Sequence, residues 1–181
     1  LKIKFDPMKL IKLLKDSGQF PEIHQIHEDV EIQGISFDSR EVKKGFLFIA
    51  LEGGSSDGHK YIANAVQAGA VAVVGRKDIS GSQVPYFRVE NPRKAMAHIA
   101  AAFCGFPARS LTVIGVTGTD GKTTTVNLIY QSLLACGLKA GMISTVNAVI
   151  GQESIDTGYH VTTPESPTIQ ALLRKMVDAG M

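Results

Sequence analysis

Long apolar runs are missing from this 181-residue sequence. The run "AGAVAVVG", for example, has eight residues, well short of the ~20 that a helix needs to cross a bilayer. No membrane span is expected. The opening stretch "LKIKFDPMKL" lacks the apolar centre of a secretory signal. Charge of one sign is also scarce. There are 19 Lys and Arg against 17 Asp and Glu, a net charge of +2, with no basic run or acidic tail. Neither nucleic acid nor an anionic membrane surface is therefore expected as a partner. Cysteine is rare. The two present, Cys104 and Cys136, sit in apolar helical patterns without metal-ligand spacing, and read as reduced core residues of a cytosolic protein.

What is present is a core-forming composition, 44% hydrophobic, enough for one large domain or two small ones. "DPMKLIKLLKDSG" predicts a helix capped by Asp6, with Pro7 in its first turn and Gly18 at its exit. "VEIQGISFDS" and "FLFIAL" predict strands. "DGHKYIANAVQAG" predicts a helix capped by Asp57 and closed by Gly69. "AVAVVG" and "VPYFRV" predict two more strands. "NPRKAMAHIAAAFCG" predicts a helix with Asn91 as its cap. This alternation implies a small α/β domain over residues 1–105.

Gly105 and Pro107 in "GFPARS" mark a linker. Residues 106–181 then read as the start of a second domain. "LTVIGV" predicts a strand, followed by a glycine-rich loop, a helix to about Cys136 and a strand in "AGMIST". A strand–loop–helix–strand unit implies a parallel pair with a right-handed crossover. "NAVIGQESI" predicts a hairpin turning at Gly151. "PESPTIQALLRKMVDAG" predicts a last helix. Two or three strands are only part of a parallel sheet, so the chain is expected to be a fragment of a longer nucleotide-binding protein.

The loop "GVTGTDGKTTT", residues 115–125, carries the clearest chemistry. Five residues separate Gly115 from Gly121, so the strict G-x-x-x-x-G-K-[ST] pattern is not met. The physical requirements are. Gly118 and Gly121 let successive backbone N–H groups turn towards one anion. The helix that begins near Gly121 adds its positive end. Lys122 can reach outer phosphates, and Thr123 stands where a hydroxyl holds Mg²⁺. The competing reading is a plain glycine turn with a solvated lysine. It does not account for a buried strand before the loop and a helix after it. Asp120, a carboxylate among phosphates, is expected to face outwards or towards the metal.

These residues resemble the ATP loop of the Mur ligase family, which builds the peptide of bacterial cell-wall precursors. Many members have asparagine where this chain has Asp120. "DSREVKKGFLFIALEGGSSDGHKYIANAVQAGAVAVV" resembles the UDP-sugar-binding domain found in two branches of that family. "HVTTPES" resembles the branch that extends the UDP-muramoyl-dipeptide. The residue before the threonine pair, often polar in the family, is Val161 here. The resemblance covers nearly the whole chain, with its motifs in the family's order.

The resemblance implies a small α/β uridine-binding domain followed by the first part of a P-loop parallel-sheet ATPase domain. It implies a cytoplasmic, monomeric ligase. ATP phosphorylates the D-glutamate carboxylate of UDP-MurNAc-L-Ala-D-Glu, and the amine of a diamino acid, meso-diaminopimelate or L-lysine, attacks the acyl phosphate. Gly118, Thr119, Asp120, Gly121, Lys122, Thr123 and Thr124 would hold ATP. Lys122 would act on the transferring phosphoryl group, and Thr123 would hold Mg²⁺. Ser39 and the loop Gly54, Ser55, Ser56 would hold the uridine end, and Thr162 with Thr163 the dipeptide. Taken without the resemblance, "DSR" and "GGSSDGH" are ordinary polar turns, and Thr163 is a self-capping residue ahead of Pro164. Two other functions stay open. One is a P-loop phosphotransferase or NTPase with a regulatory first domain. The other is a fragment that binds UDP-sugar and ATP without catalysis. His59 is expected on a helix surface, and His24 and His27, which have ligand-like spacing but lack a third ligand for a metal, are expected at the surface.

Overall fold

The computed structural model describes residues 6–20, 28–53, 57–156 and 163–181. They divide into two compact units, Leu1–Phe103 and Cys104–Met181.

The first unit is built on a four-stranded sheet of β3 (Gly34–Ser36), β4 (Phe46–Ile49), β5 (Ala70–Gly75) and β6 (Tyr86–Arg88). They lie side by side in chain order, and every pair is parallel. Parallel strands are covered on both faces, so they read as continuous apolar runs. "FLFI" and "AVAVV" do so, and Leu47, Phe48, Ile49, Val73 and Val74 are almost fully buried. Phe48 and Val73 pack with Val42, Ile62 and Ala65. Ile62 and Ala65 come from α2 (Ile62–Gln67). That helix follows a 3₁₀ turn capped by the Asp57 side chain, and the chain leaves it through Gly69 at φ 110°, as expected. Helix α3 (Pro92–Phe103) starts where expected too, with the Asn91 side chain accepting the Lys94 N–H at 3.0 Å.

Helix α1 departs from expectation. It spans Leu10–Ser17, so Asp6 does not cap it. Met8 and Lys9 instead form β1, paired antiparallel with β2 (Glu31–Ile32). A helix needs acceptors for its first N–H groups. Here Val30 O takes the Leu10 N–H at 2.9 Å and Asp29 Oδ1 takes the Ile11 N–H at 2.9 Å. The cap is tertiary, from a segment some twenty residues away. The exit at Gly18, φ 65°, is as expected.

The second unit holds α4 (Lys122–Ala135), an antiparallel sheet of β7 (Gly141–Ile143), β8 (Asn147–Ile150) and β9 (Glu153–Asp156), and α5 (Ser166–Asp178). The hairpin turns at Gly151, φ 59°, as expected. Leu172 and Met176 of α5 bury against Ala148 and Ile150 of β8. The expected parallel pair is not formed. Residues 111–116 form no strand and have no ladder partner among the described residues, and Val113 and Ile114 are 59% and 56% exposed. This segment and β7 line the same cleft, and the ladder of β7 is the antiparallel one with β8. Helix α5 is capped at Glu165 with Pro167 in its first turn, so Thr163 is not the cap. Cys136 is exposed at the end of α4, not in a core. Cys104 is buried as expected, and burial pushes its thiol up to about 12. No helix among the described residues is long and apolar enough to cross a membrane.

Candidate functional site

Helix α4 begins abruptly after Gly121, whose backbone sits at φ 75°, ψ 0°. Only glycine adopts this left-handed turn without strain. A Cβ there would meet nothing within 4 Å, so the requirement is conformational and not one of space. The first intrahelical bond runs from Thr125 N–H to Gly121 O at 2.9 Å. The amides of Lys122, Thr123 and Thr124 lie ahead of it, at the positive end of a 14-residue helix. This is a general recipe for holding an anion. The Lys122 ammonium folds back over the loop, donating to Gly118 O at 2.7 Å and Thr119 O at 3.0 Å. It is thereby held at the same end of the helix as the free amides. Thr119, Asp120, Thr123 and Thr124 are exposed. The exposed Thr123 hydroxyl and Asp120 carboxylate are hard oxygen donors, which suits Mg²⁺.

Lys122 and Thr123 line a cleft of about 770 Å³. Its walls are α4, the 111–116 segment, β7 and the approach to α5. Thr163 lines it as well, so the fold brings the glycine-rich loop and one of the two threonines together. Thr162 lies outside the described residues. Ser144 and Thr145, which sequence reasoning passed over, also line this cleft. The Ser144 hydroxyl donates to Asn147 O at 2.9 Å and closes the turn after β7. Position directly after a strand was the signal available for both.

In the first unit, β3, β4 and β5 are parallel neighbours, so the segments that follow them emerge at one edge of the sheet. Open parallel sheets bind ligands at that carboxyl edge. Ser39 sits there in a turn, half-buried. The turn is pinned by Ser36 Oγ, which donates to Asp38 O at 2.9 Å, and by the Arg40 N–H on Asp38 Oδ1 at 2.9 Å. The Arg40 guanidinium, hydrogen-bonded to Asp38, lowers its carboxyl below the usual range. The connection after β4 reaches the same edge, but Gly54, Ser55 and Ser56 lie outside the described residues, as do His24 and His27. His59 is not a surface residue. Its side chain is 6% exposed and sits beside Asp57. Hydrogen bonds from Lys77 and then His59 hold the Asp57 carboxyl well below the usual range.

A glycine-led loop at a helix start, following a separate parallel α/β unit, defines an α/β protein of two units with a candidate anion site. Two family models match the chain in that order: "Mur ligase family, catalytic domain" over residues 31–104 and "Mur ligase middle domain" over residues 116–181. The chain belongs to the Mur ligase family. It is 42% identical over 174 residues to a UDP-N-acetylmuramyl-tripeptide synthetase of a Roseiflexus species, covering 95% of this chain and 33% of that one. It is 46% identical over 149 residues to a UDP-N-acetylmuramoyl-L-alanyl-D-glutamate–2,6-diaminopimelate ligase of Chlorobium phaeobacteroides, covering 81% and 29%. Among solved structures, the MurF ligase of Thermotoga maritima in complex with ADP is 27% identical, with a TM-score of 0.51, covering 77% of this chain and 28% of that one. The chain thus spans about a third of the length of the curated relatives it matches.

Proposed function

We propose that this chain supplies the uridine-binding and ATP-binding parts of a UDP-N-acetylmuramyl-tripeptide synthetase. That enzyme would join a diamino acid to UDP-MurNAc-L-Ala-D-Glu in the cytoplasm, as a monomer. Residues 1–105 would take the uridine end and residues 106–181 the phosphates of ATP. One observation carries the reading: Lys122, Thr123 and Thr163 line the same cleft. Transfer of a phosphoryl group from ATP to a peptide carboxylate requires the two to meet in one place. A loop for phosphates and a hydroxyl for the peptide end, facing one cleft, meet that requirement.

ATP supplies the phosphoryl group that turns the D-glutamate carboxylate into an acyl phosphate, with ADP leaving; the amine of the diamino acid then attacks the acyl carbon, inorganic phosphate leaves with the electrons of the broken C–O bond, and the nitrogen loses a proton to give the amide. The chain's own residues bind and orient. The amides of Lys122, Thr123 and Thr124 take phosphate oxygens. The Lys122 ammonium, now held by two loop carbonyls, counters the charge that grows on the transferring group. The Thr123 hydroxyl, with Asp120 nearby in sequence, would hold Mg²⁺. Thr163, with Thr162, would hold the dipeptide. Ser39 and the Gly54–Ser56 loop would hold uridine.

The test is calorimetry with the chain, using MgATP and UDP as separate titrants. Both should bind, and saturation with one should leave the affinity for the other within about twofold, since the sites lie in different units. Mutual displacement of UDP and ATP would mean a single nucleotide site and would refute the reading.

A further inference from the structure

The buried imidazole of His59 has a defined hydrogen-bond pattern. Its Nε2 lies 3.0 Å from the Arg76 backbone nitrogen and 3.3 Å from that of Lys77, both of which donate to it. A backbone N–H can only donate, so Nε2 carries no hydrogen. The hydrogen of the neutral ring is therefore on Nδ1, 2.7 Å from Asp57 Oδ1, and is donated to that carboxylate. The other groups facing the ring are charged or titratable and each is engaged. Lys77 Nζ pairs with Asp57, Arg76 pairs with Glu52 at 3.4 Å, and the Tyr86 hydroxyl donates to Lys77 O at 2.7 Å. Space is tight. A Cβ on Gly75 would come within 2.5 Å of Tyr86 Oη and 2.8 Å of His59 Nε2.

Glu52, Asp57 and His59 place their ligand atoms within 4.8 Å of one another, yet the arrangement does not suit a cation. The lone pair of Nε2 is taken by two amides, and the carboxylates already face Lys77 and Arg76. What the group does is mechanical. Glu52 and Asp57 form a bridge at the base of the connection that leaves β4. Arg76 and Lys77 begin the connection that leaves β5. The imidazole ties these neighbouring connections together at the carboxyl edge of the sheet, the edge on which Ser39 also lies.

We propose that His59 is a positioning residue for the uridine end of the substrate, acting through its Nδ1–H tautomer. The inference rests on the uridine reading of this sheet edge. In that form, Nε2 holds the Arg76 and Lys77 amides while Nδ1–H holds Asp57, so the ring fixes the base of the β4 connection. A second proton, on Nε2, would set a donor against two donors. The tie between the two connections would then open, although the contact with Asp57 would persist.

The experiment has two arms, both on the full chain. In the first, ¹⁵N NMR of the neutral imidazole should show hydrogen on Nδ1 and a bare Nε2. In the second, UDP is titrated calorimetrically into wild type, His59→Gln and His59→Ala. The Gln amide oxygen can accept in place of Nε2. His59→Ala should bind UDP about three- to tenfold more weakly than wild type, and His59→Gln should stay within about twofold of wild type. Hydrogen on Nε2, or UDP affinity unchanged in His59→Ala, would overturn the proposal. If His59→Ala loses its fold, the Gln variant and the NMR arm decide. Failure of UDP to bind wild type would overturn the uridine reading and the positioning role with it, while the NMR arm would still report whether the tie exists.

Discussion

Replacing Lys122 with alanine should separate ligand binding from stability. The ammonium makes two hydrogen bonds, to Gly118 O at 2.7 Å and Thr119 O at 3.0 Å, both on the exposed side of the loop. Its removal opens no core cavity and leaves only solvent-accessible carbonyls behind. Such a change should move stability by no more than about 0.5 kcal/mol, a melting shift of about 1–2 °C in a chain of this size. Binding is different. A charge-assisted contact to a phosphate is worth about 1.5–3 kcal/mol, so the affinity for MgATP should fall about 10- to 150-fold. The helix-end amides remain, which is why binding should weaken and not vanish. Calorimetric titration of MgATP into both proteins, with thermal unfolding of each, gives the two numbers. Affinity within twofold of wild type would refute the phosphate role. A melting point lowered by more than about 5 °C would show instead that the lysine supports the loop structurally.

Thr123→Ala should act through the metal. It should raise the Mg²⁺ concentration needed for half-maximal ATP binding, and Thr123→Ser should restore most of it because the oxygen is kept; equal loss in both variants would assign the effect to the methyl group. Phe48→Ala removes a side chain that is 1% exposed at the centre of the first unit, and should cost about 3–5 kcal/mol in urea unfolding. Asp57 binds fewer protons folded than unfolded, because Lys77 and His59 hold its carboxyl low. The stability it contributes is therefore complete above about pH 4 and is lost as pH falls through the lowered value. The gap between wild type and Asp57→Asn should be level above that point and close below it, as followed by urea midpoints at each pH.

The sequence by itself determined the elements whose signals are local. "AVAVV" and "FLFI" had to be buried strands because nothing in them can face water. Asn91 and Asp57 cap their helices through atoms two or three residues away. Gly121 admits the left-handed turn that opens α4, and the candidate phosphate loop stands out in the sequence because its chemistry is packed into eleven consecutive residues. Tertiary structure decided whatever depends on a distant partner. Helix α1 starts at Leu10 and not Pro7 because Asp29 and Val30 receive its first amides. The "LTVIGV" run has a strand's composition, but a strand exists only when another lies beside it, and no described strand does. His59 looked like one more polar residue on a helix. Its burial and its tautomer come from two amides 17 and 18 residues further along the chain, which only the parallel pairing of β4 and β5 brings within reach.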